Sequence, residues 1–211
     1  SDFSPDALKD TVETCYQIAS HGGSDECAGL AEASLMADNY PDLDLHHPWS
    51  LESQEAAELA LRTEDAARGV DTRIANSDGA TVSSYSSEHV YGNTHGFMGG
   101  YSSTRHSLGC VVIAKQHDSM QRDHWYTSSR VPEDLESANV VGTKAAERAV
   151  RRLAGRQVPT CKVPVLYAAE IASTLAGHFI AAISGGNLYR KASFLVDHPV
   201  SYTHLTLPTK A

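Results

Sequence analysis

The sequence lacks most of the features that announce membranes, secretion or a known catalytic centre. No run of about 18 apolar residues occurs, so no helix of the sequence is built to span a bilayer. The first residues, Ser1 to Pro5, are polar rather than a signal peptide, and no Met begins the chain, which points to processing or truncation. Cysteines are few: Cys15, Cys27, Cys110 and Cys161 are scattered with no CxxC pair, which reads as reduced thiols packed as small hydrophobes in a cytoplasmic protein. Positive charge is scarce. Lys and Arg number 17 against 26 Asp and Glu, a formal net charge of −9. That balance disfavours non-specific binding to nucleic acid or anionic membrane.

Catalytic motifs are missing as well. No HExxH or HExxxH occurs, so no helix presents two zinc ligands one turn apart with a Glu beside the first. There is no GxSxG elbow. Gly96, Gly99 and Gly100 do not form GxGxxG and do not open a helix, so tight turns or a bulge account for them better than a phosphate cradle.

What remains is a globular pattern of 211 residues, 41% hydrophobic and 20% charged. "SPDALKDTVETCYQIASHGG" predicts a helix with Ser4 as cap, Pro5 in its first turn and Leu8, Val12, Cys15, Tyr16 and Ala19 on one face. "SLESQEAAELALRTEDAARG" predicts a second, capped by Ser50, with Glu58–Arg62 and Glu64–Arg68 as i,i+4 pairs and Gly69 as its stop. From Asp71 to about Arg130, Ser, Thr, Tyr, Val, His and Gly replace the Ala/Glu/Leu texture. This stretch reads as an antiparallel meander of four to six short strands, with Ser77-Asp78-Gly79 as one of its turns. A helix through Ala146, Val150, Leu153 and Ala154 follows. "CKVPVLY" then reads as a strand, and "AAEIASTLAGHFIAAISGG" as a helix apolar at Ile171, Leu175, Phe179 and Ala182. The order helix, helix, sheet, helix, strand, helix gives an α+β fold: an antiparallel sheet with flanking helices, as a fragment of a larger two-to-three-domain protein.

Eleven histidines invite a search for ligands. His178 is the only helical candidate, but Thr174 and Ala182 flank it one turn away, so a packed or locally bonded histidine is the better reading. His46-His47 form a loop pair before Pro48-Trp49, and His89, His95, His106 and His124 are spread over the meander. Lys144, Arg148, Arg151 and Arg152 make a basic helix face: either a solvated surface or a docking surface for an acidic partner. "ISGGNLYRKASFL" is denser. Ser184, Gly185 and Gly186 end a helix and permit close backbone approach, and Arg190 and Lys191 follow among apolar residues. This is a candidate peptide-binding turn, able to hold a carboxylate. A plain helix stop feeding a strand fits the same residues equally well.

"TCKVPVLYAAEIASTLAGHFIAAISGGNLYRKASFL", together with "RIANSDGATVSS", "GFMGGYSSTRHS" and "MQRDHWYTSSR", resembles the TldD/PmbA family of cytosolic bacterial metalloproteins, and within it the PmbA (TldE) branch. The resemblance covers residues 1 to about 197. It implies a metallopeptidase system in which two similar proteins process or degrade peptides as a pair. It places a zinc helix of the HExxxH type in the TldD branch only. The helix at Glu170–Ile183 lies where that zinc helix would, without its ligands. The resemblance therefore implies no catalytic or metal residue in this chain, zinc in a TldD-like partner, and a peptide as substrate. The family's older gyrase-modulator label finds no DNA-binding feature here. The alternative function is a non-enzymatic peptide-binding or scaffold protein. Family members are longer at both ends. The expected layout is the end of an N-terminal α/β domain (1–40), a central domain (41–157), the start of a C-terminal domain (158–198) and a non-native tail (199–211). In that tail "VSYTHLTLPT" reads like a translated transposon-derived sequencing adapter.

Overall fold

The computed structural model of the chain describes residues 2–24, 28–37 and 39–196. It divides into two compact units, one up to Gly155 and one from Arg156. The adapter-like tail lies outside the described residues.

In the first unit, helix α1 (Pro5–Ser20) begins where the sequence predicts: Ser4 Oγ accepts from the Ala7 N–H at 3.4 Å and Pro5 sits in the first turn. Its apolar residues stay exposed, Val12 and Tyr16 at 70% and 74%. Helix α2 (Ser53–Arg68) starts later than expected. Its cap is Glu52, not Ser50, because Glu52 and Glu55 close a reciprocal capping box. Of the two expected ion pairs, Arg68 reaches Glu64 at 2.9 Å, whereas Glu58 accepts from Gln54 one turn back.

The meander is shorter in strands and longer in residues than the sequence suggests. Three antiparallel strands form one sheet in the order β1 (Ile74–Gly92), β2 (Met98–Gln116), β3 (Ser119–Ser129). Ser77-Asp78-Gly79 is not a turn. It is a bulge inside β1, where the register slips between Ser77 and Gly79. Gly79 takes φ 99°, and Ser77 Oγ accepts from the Gly79 N–H while donating to the Val111 carbonyl. A side chain bonded across the ladder holds the kink in place of a reversal. The true reversals are Asn93–Phe97, where the Asn93 carboxamide oxygen accepts from the His95 and Phe97 N–H groups, and the two-residue His117-Asp118 turn.

Helix α3 (Ala138–Arg152), capped by Ser137, packs with α2 on one face of the sheet. Every second residue of β2 points into that layer, from Thr104 through His106, Leu108, Cys110 and Val112 to Ala114, all buried. From α3 come Val141, Gly142, Ala145, Ala146 and Ala149. The buried face thus lies a few residues N-terminal of the stripe read from the sequence, and it is built from small residues. Gly142 shows why: a Cβ there would lie 2.2 Å from the Thr63 carbonyl oxygen of α2. Burying Leu108, Val112 and Val141 contributes roughly 1.5–3 kcal/mol each.

The second unit holds α4 (Ala169–Ile183) and α5 (Gly185–Tyr189). "CKVPVLY" is not a strand: residues 161–167 take no regular structure, and Leu166 is 97% exposed. A strand exists only by pairing, and no described residue pairs with this stretch.

Candidate functional site

β1 and β2 have 19 residues each and β3 has 11, so the ribbon outruns its third strand. Pairing with β3 ends at His106–Ser129, and β2 runs on for eight more residues with its outer edge unpaired by any strand among the described residues. A strap, residues 39–49, takes up that edge. Leu45 O accepts from the Thr104 N–H at 2.9 Å, and Tyr40 Oη accepts from the Gly100 N–H at 3.1 Å.

Two buried polar residues lock the strap, each 1% exposed. Thr104 Oγ1 accepts from the His47 N–H at 2.9 Å and donates to the Arg130 carbonyl at 3.1 Å, tying strap, β2 and the end of β3 together. The Nε2 of His106 donates to the His47 carbonyl at 2.8 Å, and its Nδ1 bonds Ser84 Oγ at 2.9 Å. Trp49 stands edge-on to the same ring at 5.4 Å. A serine beside a histidine suggests a nucleophile, but this imidazole is spent on a backbone carbonyl and faces the helix layer. Its work is to hold the strap. Neither role stands out in the sequence, yet a signal exists. Thr104 and His106 continue the period-2 register of Leu108, Cys110, Val112 and Ala114.

Between the strap and the far half of the ribbon lies an open groove of about 1120 Å³. Phe97 packs between Tyr40 and Tyr91, with both ring centroids at 6.0 Å, and His89 stacks on Tyr101 at 4.9 Å. Gly99 and Gly100 explain themselves here. A Cβ on Gly99 would lie 2.5 Å from the Tyr40 ring, and one on Gly100 would lie 2.6 Å from the His89 carbonyl oxygen. Gly99 lets the strap close on the ribbon, and Gly100 lets β2 close on β1.

The basic face of α3 is largely engaged by acids of its own unit. Arg148 and Arg152 reach the buried Asp123 carboxylate of β3 at 3.4 and 3.3 Å, and Lys144 pairs with Glu136. Lys144 and Arg148 also cover the Trp125 ring, whose Nε1 donates to Glu136. Burial pushes the Asp123 carboxyl up. The His124 N–H and the two guanidinium groups outweigh it and hold the group below the usual carboxylate range. Hydrogen bonds from Lys144 and Trp125 likewise hold Glu136 low. The spacing i, i+4, i+8 predicted one face. Three of its four cations reach acids, Asp123 on β3 and Glu136 just before α3, while Arg151 stays exposed.

The candidate peptide-binding residues lie together in the second unit. Ser184 joins α4 to α5 as the last cap of one and the first of the other. Its carbonyl accepts from Asn187 and Leu188, and Asn187 in turn donates to the Ala181 carbonyl. Gly185 and Gly186 start α5 with no positive φ, and a Cβ on Gly185 would meet nothing within 4 Å. Arg190, exposed, donates to the Asn187 carboxamide oxygen at 2.9 Å, and Lys191 takes the left-handed φ of 55°. A helical turn follows the glycines, not the strand that a plain helix stop would feed.

On α4, Glu170 and His178 stand eight residues apart, about 12 Å along a helix axis. Among the described residues no three His, Cys, Asp or Glu side chains converge as a metal site requires.

An antiparallel sheet with helices on one face, and a ribbon overrunning its last strand, define an α+β domain. Residues 46–153 match the family model described as the PmbA/TldA metallopeptidase central domain. The chain is 45% identical over 197 residues to Metalloprotease PmbA of Escherichia coli O157:H7, and 44% identical over 198 residues to the Metalloprotease PmbA homolog of Haemophilus influenzae. These alignments cover 93% and 94% of the chain but 44% of each relative, so the chain spans less than half their length. Among solved structures, a gyrase-modulator-labelled protein of Bacteroides thetaiotaomicron superposes with a TM-score of 0.79 at 26% identity, covering 91% of this chain and 44% of that one. TldE of Thermococcus kodakarensis superposes with a TM-score of 0.63 at 18% identity, covering 93% and 44%, a likeness of fold. The chain belongs to the TldD/PmbA family of metallopeptidases. No helix among the described residues is long and apolar enough to cross a membrane.

Proposed function

We propose that this chain is the middle part of a PmbA-type subunit in a cytoplasmic metallopeptidase system that processes or degrades peptides. In this reading it works as a heterodimer with a TldD-like subunit that carries the zinc, and it supplies surface and backbone rather than metal ligands. The observation that carries the reading is that identity to proteins named Metalloprotease PmbA runs through nearly the whole chain. The 211 residues bring no HExxxH pair with that identity. Ser184, Gly185, Gly186, Arg190 and Lys191 are the proposed peptide contacts. A planar guanidinium at Arg190 can grip a carboxylate with two parallel hydrogen bonds once it leaves Asn187.

A mixing assay tests this. A full-length version of the protein should hydrolyse peptides only when combined with a fixed amount of a TldD-like zinc subunit, and Arg190→Ala should lower turnover by the pair with the fold intact. Robust hydrolysis by this protein alone, or full activity of the zinc subunit without it, would reject the division of labour. Normal turnover by the Arg190→Ala pair would reject only that residue's role.

A further inference from the structure

We infer that the groove between the strap and the far half of the ribbon is a docking site for an extended polypeptide segment bearing lysine or arginine side chains. The first reason is backbone chemistry. The N–H groups of Gly100 and Thr104 point away from β1, to Tyr40 and Leu45 of the strap. Register between β1 and β2 is unbroken across this stretch, so the N–H of Ser102, midway between them, points the same way. Ser102 lines the groove, and its main-chain groups there meet no partner among the described residues. The strap thus fastens to the edge at two points and leaves one rung open. An extended chain can bond an open rung through main-chain atoms alone.

The second reason is charge. The lining includes Asp42 and Asp44 and, among the described residues, no lysine or arginine. Asp42 spends one carboxylate oxygen on the Asp44 N–H, and Asp44 stands 86% exposed beside His47. The other walls are aromatic: Tyr40, Tyr91 and Tyr101 are each about half exposed. Acids at the rim and ring faces within are the pairing that attracts a cation on a flexible stem. An anionic ligand would meet two carboxylates and no lysine or arginine, and a purely apolar one would leave the carboxylates and the open rung unused.

The inference shares with the proposed function only the peptide nature of the ligand. It concerns a different place in the chain and requires neither zinc nor turnover. The experiment is fluorescence anisotropy with the 211-residue chain and three labelled ten-residue peptides of β-forming sequence, carrying Lys, Gln or Glu at alternate positions. The Lys peptide should bind at least about tenfold more tightly than the Gln peptide, and more weakly as salt rises. The double variant Asp42→Asn, Asp44→Asn keeps the acceptor for the Asp44 N–H and suits the left-handed φ of 49° at residue 44. It should erase the preference for Lys. Asp42→Lys combined with Asp44→Asn leaves one positive charge at the rim and should transfer that preference to the Glu peptide, a gain that misfolding cannot imitate. Ser102→Pro removes the outward N–H at an edge position that tolerates proline, and should weaken all binding about tenfold while circular dichroism stays unchanged. Arg190→Ala should leave binding intact. Equal affinity for the Lys and Gln peptides, or a Lys preference that survives the double variant, would overturn the inference. Docking without turnover by the reconstituted pair would instead count against the proposed function alone.

Discussion

Replacing Gly142 by alanine should push α2 away from α3. The added Cβ would sit 2.2 Å from the Thr63 carbonyl oxygen and 2.9 Å from the Ala67 nitrogen, where ordinary contact begins at 3.4 Å. Both offending atoms are backbone, so no side chain can swing aside. Relief requires the helices to part by about 1 Å, and a gap of 0.5–1 Å already forfeits a quarter to a half of each contact's attraction. Overpacking of this kind costs about 1–3 kcal/mol or more, and the clash here belongs at the upper end. Alanine returns about 1 kcal/mol through helix propensity. The net loss is about 2 kcal/mol. At roughly 2–4 °C per kcal/mol for a domain of this size, Tm should fall by about 4–8 °C. Thermal unfolding followed by far-UV circular dichroism measures it. Gly177→Ala is the control: also mid-helix, its added carbon meets nothing within 4 Å, and it should cost nothing. A Tm that stays level or rises in Gly142→Ala would show that α2 and α3 do not approach this closely, and the account of the small-residue core would fail with it.

Asp123→Asn should cost about 1–2 kcal/mol at neutral pH, because two guanidinium groups lose their anion. The folded carboxyl titrates below its unfolded value near 3.9, so its contribution is complete above that pH and is lost as pH falls through the folded value. Urea midpoints of wild type and variant should therefore converge below about pH 4, and a constant gap down to pH 2 would refute the pairing. Burial pushes the Cys110 thiol up to about 11. At pH 8 iodoacetamide should then modify the exposed Cys15 and Cys161 and spare Cys110 until urea is added, as read by peptide mass spectrometry. Prompt native labelling of Cys110 would contradict its place in the core.

Helices were legible because their signals are local. Ser4 and Pro5 name a start, and the Ala-rich periodic stretches name a face. The sheet was legible in kind but not in count. Ser77-Asp78-Gly79 has turn chemistry, and only the cross-strand bond to Val111 makes it a bulge. "CKVPVLY" has strand composition, and composition cannot supply a partner. The basic face of α3 had the right residues and an open direction, since Asp123 and Glu136 meet it only once the sheet exists. The strap was invisible for the same reason. Tyr40, His47 and Trp49 sit in a stretch of loop composition, and what they grip lies about sixty residues further on. At Ser184–Lys191 the helix stop was legible because its signal is local, while the short helix that follows it was not.

The overrunning ribbon also bears on the order in which the unit assembles. Its two strands are adjacent in the chain and can zip outward from the Asn93–Phe97 turn, closing a short loop first. The strap must wait. Its bonds to Gly100, Thr104 and His106 span 57 to 60 residues, and they need a finished edge to land on. Contacts of that span are slow to find and absent from an early transition state. The strap is therefore a late fastening on a ribbon already built. Loosening it should speed unfolding while barely slowing folding, so it sets how long the domain lasts rather than how quickly it forms.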